Sequence, residues 1–471
     1  MITRGAKGWT VSLAVFAFVL GWPGVHQAQW AGQARPTDTE VQAWLNDRLV
    51  PNTDTAIIVG LIEPGGRRTI AAGKAGPNGV PALDSHTVFE IGSATKVFTT
   101  AVLMDMVRKG EVRLDDPVAK YLPSAVTIPT RGGRLITLVD LATHTSGLPR
   151  LPSNLKPKDA ANPYADYSVT EMYDFLSHCE LTRDIGSQFE YSNLGMGLLG
   201  HALSLRAGTS YEKLVSARIL RPLQMRETVI TLPTALRSRL APGHDNAGGP
   251  VANWDLPTLA GAGALRSTLD DMLRFLQANL DADNAGVPSL LHDTHVARHS
   301  PTTPDGSIGL GWQIRRAFDR DIVWHNGGTG GYRSFIGFDP KTKTGVVILH
   351  NSALSVDDIA FHLIDARLPI AKPEPPARAR TEVKLDPKVL DACVGEYQLA
   401  PAFFIAVTRE ADQLFIQATG QSKLPIYAES ETEFFLKVVN AQITFLRDAN
   451  LRVIRLVLHQ NGRDMPGERV K

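Results

Sequence analysis

The residues best suited to covalent chemistry are Ser93 and Lys96, in the run Ser93-Ala-Thr-Lys96. Side chains three apart on a helix are neighbours across one turn, so the lysine could take the serine proton or hold a cation beside it. Spacing alone does not single out this pair, because Ser153/Lys156 and Ser210/Lys213 repeat it. Context does. Ser153 lies among Pro149, Pro152 and Pro157, where no helix can form. Ser210 falls within a capping box read over Thr209 to Glu212, a structural turn ahead of the helix carrying Leu214 and Ile219. Ser93 follows Phe89-Glu-Ile-Gly92, a strand and a glycine, and opens an apolar helix. Its hydroxyl then sits where free backbone N–H groups favour an anion. The plainer reading of Ser93 is an N-cap. A second candidate is Tyr191-Ser-Asn193, the only Tyr-x-Asn in the chain. A phenol beside a lysine ammonium is expected to have a lowered pKa and to serve as a general base. The plainer reading is a core tyrosine and a turn asparagine. The third is His325-Asn-Gly-Gly-Thr-Gly-Gly-Tyr332, where a histidine ends the strand Ile322 to Trp324 and glycines follow. Glycines let a strand edge approach a substrate closely, and a backbone N–H there, with that of Ser93, would make an oxyanion hole. A hairpin turn is the plainer reading. No GKS or GKT follows, so this is not a phosphate loop.

These residues need a scaffold. Thr55 to Ile62 and Gly345 to Leu349 read as buried strands at the two ends of one region. Val97 to Arg108, with Val97, Ala101, Met104 and Val107 on one stripe, and Leu269 to Leu280 read as amphipathic helices between them. One sheet built from both ends of the domain follows. The fold class is α/β (α+β): a mixed, mainly antiparallel sheet flanked by helices, with a helical subdomain. The expected division is a signal segment over 1–34, a catalytic domain over 36–367, a proline-rich linker over 368–381 and a β domain over 382–471. In the last, Phe404 to Thr408, Leu414 to Ala418, Phe434 to Val438, Ile443 to Leu446 and Val453 to Leu458 alternate and are separated by turns, as in a small antiparallel barrel or sandwich.

Composition narrows the class further. The chain has 471 residues, 43% hydrophobic and 21% charged, which excludes disordered and fibrous proteins. Lys+Arg 49 against Asp+Glu 48 argues against nucleic acid as a partner. The two cysteines, Cys179 and Cys393, form no CxxC and read as separate thiols. Arg4 and Lys7 precede an apolar run from Val11 to Trp22, the pattern of a secretory signal, with cleavage after Ala34 fitting the small-x-small rule. That run is short of the ~20 residues of a membrane span. No other segment is apolar enough to span a bilayer, which places the mature chain in a periplasm or outside the cell.

The three motifs, in this order, resemble the serine hydrolases of the class C β-lactamase and D-alanyl-D-alanine carboxypeptidase group, which carry Ser-x-x-Lys, Tyr-x-Asn and Lys-Thr-Gly or His-x-Gly. Leu141-Ala-Thr-His-Thr-Ser-Gly-Leu-Pro149, Pro222-Leu-Gln-Met225 and Gly261-Ala-Gly-Ala-Leu-Arg-Ser-Thr268 are similar to that family too. The tail from Leu385, with Val394-Gly-Glu-Tyr397, resembles the lipocalin-like β domain that follows some members. The resemblance implies a Ser93 nucleophile, Lys96 assisting its deprotonation, Tyr191 as general base and Asn193 orienting Lys96 and the substrate amide. It also implies an oxyanion hole from the N–H groups of Ser93 and Gly328, with Asn326 and Gly327 lining the substrate strand. His325 takes the place of the third-motif lysine. A histidine of pKa ~6.5 is largely neutral at pH 7 and holds a substrate carboxylate weakly, which points to the His-x-Gly branch of peptidases and esterases.

Other residues fare less well. His292, His295 and His299 could share a helix face, but no carboxylate or cysteine completes a zinc site, and an exposed polar face is the better reading. His144 reads as a structural loop residue near the site. Gly-x-Ser-x-Gly is absent, against an α/β-hydrolase triad. The expectation is an exported serine hydrolase without metal or cofactor, acting on D-amino-acid peptides or β-lactams. Small esters are the alternative substrates, and a non-catalytic binder of cell-wall peptides is the alternative class.

Overall fold

The apolar run after Asp54 becomes strand β1 (Ala56–Glu63), buried over all but its last residue. Both of its faces are covered, which is why it reads as continuous rather than alternating. Ile58 and Ile62 enter one core, whereas Ile57, Val59 and Leu61 enter another on the opposite face. A computed structural model describes residues 35–76, 82–281, 286–300, 306–371, 380–400, 403–419, 423–436, 441–460 and 463–470. The expected signal segment, the stretch 372–379 of the linker and Val438 lie outside the described residues.

With β2 (Gly66–Gly73), β3 (Gly306–Ile308), β4 (Gln313–Ala317), β5 (Arg320–Gly328), β6 (Arg333–Asp339) and β7 (Thr344–His350), β1 forms a seven-stranded sheet in the order β2-β1-β7-β6-β5-β4-β3. Every pairing in it is antiparallel. Strands from both ends of the domain therefore meet at its centre, as expected. The edge strand β2 carries exposed Arg67, a charge that discourages pairing with another chain, and half-buried Arg68, which is paired with Glu63 and Asp38.

Helix α1 (Thr95–Arg108) is buried on every side from Thr95 to Met106, not along one stripe. It is a central helix, packed both against the sheet side and against α2 (Asn193–Ala207). Helix α3 (Leu269–Leu280) matches its expected bounds, capped by Thr268. Ser210, not Thr209, caps the helix Tyr211–Val215, and Glu212 instead accepts the Ile230 and Thr231 N–H groups, so no capping box forms there.

The first residues of the expected linker are packed against the first domain. Leu368 is buried in the second core, and Ala371 donates its N–H to Asp358 at 2.8 Å while its carbonyl accepts from Arg48 at 3.0 Å. On the far side, Val383 donates to Ala428 at 2.9 Å, tying that segment to the last domain. There, eight strands between Gly395 and Arg469 close into an antiparallel barrel. Tyr397, Ile405, Phe434, Ile443, Phe445 and Leu456 fill its interior. Cys393 is buried in that core and Cys179 is half-buried in the first domain, both as free thiols.

Candidate active site

Gly92 takes a left-handed φ of 49°, which turns the chain out of the short strand Phe89–Glu90 into a single 3-10 turn, Gly92–Ala94. Ser93 sits in that turn, directly ahead of α1, and Lys96 in the first turn of α1. Lys96 is wholly buried, and its Nζ donates to Ser93 Oγ at 2.9 Å and to the Ala262 carbonyl at 2.6 Å. Burial, and secondarily the Arg150 guanidinium, push the Lys96 pKa well below the usual lysine range.

Tyr191 lies just before α2, its hydroxyl hydrogen-bonded to Ser93. Lys96 Nζ is 4.8 Å from the centre of its ring. Burial raises the phenol to about 12, against the opposing pull of the Ser93 hydrogen bond and Arg150. The lowered pKa expected from a neighbouring ammonium is therefore not found. Desolvation wins, because the lysine faces the ring and is itself driven toward its neutral form.

His325 does not end its strand; β5 runs on to Gly328, and His325 is buried within it. Its Nδ1 donates to the Asn326 carbonyl at 2.5 Å, which leaves Nε2 bare, buried and without a partner among the described residues. Burial first, then Lys96, drives its pKa down to about 3. The imidazole is thus neutral, and its shielded nitrogen presents a lone pair rather than a charge.

The glycines after His325 bring the strand against the nucleophile. A Cβ placed on Gly92 would meet Gly328 N at 2.7 Å, and one on Gly327 would meet the Ile91 carbonyl oxygen at 1.9 Å. The Gly328 amide therefore lies against the Ser93 turn. Gly327 is a close-approach residue, with no room for a side chain against Ile91 and Ser334. Gly327→Ala is expected to destabilise the protein by about 1–3 kcal/mol, the range for overpacking. Thermal unfolding alongside Gly330→Ala, whose Cβ would meet only the Trp254 side chain, checks this.

Asn193 and Asn326 do less than expected at Lys96 and the substrate strand. The hydrogen bonds of Lys96 go to Ser93 and Ala262, while the Asn193 side chain is hydrogen-bonded to Tyr164. Asn193 Oδ1 is buried without a partner among the described residues, an acceptor free for a substrate N–H. Asn326 donates its amide to Asp357 at 2.6 Å, since strand alternation turns it away from the His325 side. Burial lifts Asp357 to about 6.

His144 is in the site, in a left-handed conformation with φ 57°. Its ring centre is 4.6 Å from that of Tyr191, and its Nδ1 accepts the Ser192 N–H at 3.1 Å. Sequence reasoning missed Arg150 and the Ala262 carbonyl. Arg150 directly follows the family-like stretch Leu141 to Pro149, whereas a backbone carbonyl carries no signal in sequence. The three histidines at His292, His295 and His299 disperse: His292 ends a short helix, and His295 is half-buried against Trp312 and Phe338 with Nε2 on Asn279 Oδ1 at 2.7 Å. The exposed polar face expected for them does not hold at His295. Among the described residues no group of three or more His, Cys, Asp or Glu is placed to hold a metal ion.

A serine and a buried lysine in hydrogen-bond contact, with a tyrosine on the same hydroxyl and a glycine strand closing on the turn, are the working parts of an active-site serine hydrolase. The chain belongs to the beta-lactamase family, whose model matches residues 57–367. Residues 379–469 match a family described as a domain of unknown function, DUF3471. The D-alanyl-D-alanine-carboxypeptidase/endopeptidase AmpH of Escherichia coli (strain K12) is 33% identical over 299 residues, 60% of this chain and 75% of that protein. Penicillin-binding protein 4* of Bacillus subtilis (strain 168) is 25% identical over 425 residues, 83% of this chain and 89% of that protein. A solved class C beta lactamase from Rhodobacter sphaeroides has the same fold, with TM-score 0.59 and 25% identity over 70% of this chain and 99% of that one.

Proposed function

We propose that the protein is an exported hydrolase that opens the amide bonds of D-amino-acid peptides or β-lactams through an acyl-enzyme on Ser93. The observation that carries this reading is the 2.9 Å contact between Lys96 Nζ and Ser93 Oγ. Lys96, held toward neutrality by burial, takes the Ser93 proton as Oγ attacks the carbonyl carbon. The oxyanion develops between the N–H groups of Ser93 and Gly328. The C–N bond then breaks, and the Tyr191 hydroxyl passes its proton to the leaving nitrogen and regains one from Lys96. Water enters by the same route in reverse to release the acyl group. In this scheme Lys96 is the base and Tyr191 the acid, which exchanges the leading roles expected from the motifs, because the two pKa directions favour a neutral amine over a phenolate.

Relatives named as a D-alanyl-D-alanine carboxypeptidase, a penicillin-binding protein and beta-lactamases support the substrate class. Small uncharged esters remain a second reading, favoured by the neutral His325 where a lysine would hold a carboxylate. Export rests on the basic and apolar pattern before Ala34; among the described residues no helix is long and apolar enough to cross a membrane.

Incubation with a penicillin followed by intact-mass spectrometry tests the reading. A covalent adduct of the drug's mass, or hydrolysed drug, is expected with the wild type and neither with Ser93→Ala. Hydrolysis of a p-nitrophenyl ester that survives Ser93→Ala unchanged, with no adduct in either protein, would sink it in favour of a non-catalytic binder.

A further inference from the structure

The strand end that meets the Ser93 turn has little stiffness of its own. Four of the five residues from Gly327 to Gly331 are glycines, which carry the most backbone freedom of any residue. The ladder between β5 and β6 also stops there, at the pair Gly328–Arg333. What holds this end comes from the face opposite His325. Asn326, Gly328 and Arg333 share that face by strand alternation and register. The Arg333 side chain lies over Gly328, where a Cβ would meet its Nη1 at 2.9 Å. The same Nη1 donates to the Thr329 carbonyl at 3.0 Å and the Tyr332 carbonyl at 2.9 Å, which closes the turn. Asn326 donates to Asp357 at 2.6 Å. Asp357 opens the helix Asp357–Ile364, packed on this face of the sheet with Phe361 on Phe335, ring centres 5.1 Å apart. A rigid element thus carries the acceptor, and its carboxylate also offsets the Arg333 charge.

We propose that Asp357 is a positioning residue for the reaction: through Asn326 and Arg333 it holds the Gly328 N–H in place beside Ser93. This role rests on the hydrolase reading above and adds the group that keeps its oxyanion donor in register. Burial lifts the Asp357 carboxyl to about 6, so its charge is kept at a cost to stability, which points to function. The neighbouring charges leave its titration readable. Asp358, beside it, is paired with Arg48 at 2.5 Å and accepts the Ala371 N–H. His350 on β7, close to Arg333 and Arg48, is neutral, its pKa driven down by burial to about 3.

The test measures kcat and KM for a p-nitrophenyl ester across the pH range either side of 6. It compares the wild type with the near-isosteric Asp357→Asn, which lacks the charge at every pH. The wild-type-to-variant ratio of kcat should be about tenfold to a hundredfold above that pH, less than the full worth of an oxyanion donor, and fall toward one below it. Lys96 titrates in both proteins and drops out of the ratio. KM should change little, since the loss is in the transition state. Asp357→Asn should also melt no lower than the wild type at alkaline pH, because the buried charge it removes is a cost. A merely structural Asp357 predicts a lower Tm and a ratio flat with pH. A flat ratio, whatever its size, overturns the proposal and leaves the hydrolase intact. Asn326→Ala breaks the same contact from the strand side. The double variant should lose no more than the larger single loss, and full additivity would overturn the proposal too. If only a penicillin reacts, the same ratio is read from the rate of acylation. Reaction with neither ester nor penicillin defeats the hydrolase reading, and the positioning role with it.

Discussion

Lys96→Ala is expected to slow acylation of Ser93 by about 10²–10⁴-fold, the usual worth of a positioned general base, and Lys96→Arg is expected not to restore it. An arginine retains the charge and the reach but never offers a lone pair at accessible pH. If Lys96 served only as a cation that favours an anionic neighbour, arginine would rescue much of the rate. The readout is the burst of p-nitrophenolate from an activated ester under single-turnover conditions. A near-normal burst in Lys96→Arg would return the base role to Tyr191. The pH profile supplies an independent check with a fixed sign. Only neutral Lys96 can accept the serine proton, so activity falls as pH drops through its pKa. Burial and the Arg150 charge both lower that pKa, so the acid limb should lie well below the range of an exposed lysine. Arg150→Ala removes a repelling cation, the ammonium becomes easier to keep, and the acid limb moves to higher pH. His144 and His325, the other titratable rings near Lys96, are held neutral by burial and cannot produce that limb in the opposite direction.

Much of this site is legible in the amino-acid sequence because its chemistry depends on local spacing. Ser93 and Lys96 are neighbours by helical geometry alone, and the glycines after His325 announce a close approach that their neighbours account for, atom by atom. What the sequence hides depends on how distant segments meet. Nothing in the residues near Arg150 says that its carbonyl will cap the helix of Asn193, and that is what swings its side chain over Tyr191. The Tyr191 pKa moves opposite to expectation because sequence reveals a neighbouring charge but not the loss of water around the phenol. Asn326 likewise needs Asp357, 31 residues on, to explain where its amide goes. In the barrel, the strand Arg463–Arg469 carries no strand signal, because its run contains a proline and a glycine and lacks an apolar alternation. Its place is set by pairing with the strands Gly395–Ala400 and Val453–Gln460, a constraint that closure of the barrel imposes from outside the segment.

Tyr191→Phe is expected to affect amide and ester substrates very differently. Phenylalanine keeps the ring that Lys96 and Arg150 face, at 4.8 and 5.1 Å, and removes only the hydroxyl on Ser93. If that hydroxyl is the acid that protonates the departing nitrogen, cleavage of an amide should drop by about 10²–10⁴-fold. A p-nitrophenyl ester leaves as a stable anion and needs no proton, so its acylation should fall far less. A phenolate acting as first base predicts a different outcome, because deprotonation of Ser93 precedes attack on either substrate and both rates would collapse together. The phenol's position at about 12 already makes that phenolate scarce at neutral pH, whereas its proton is fully available for donation. Measuring kcat/KM for the peptide and the ester on the same preparation of Tyr191→Phe therefore distinguishes acid from base without reference to the absolute rate. A parallel loss on both substrates would overturn the assignment of Lys96 as the base even if Lys96→Ala is inactive, since a lysine that merely positions the tyrosine would also silence the enzyme when removed.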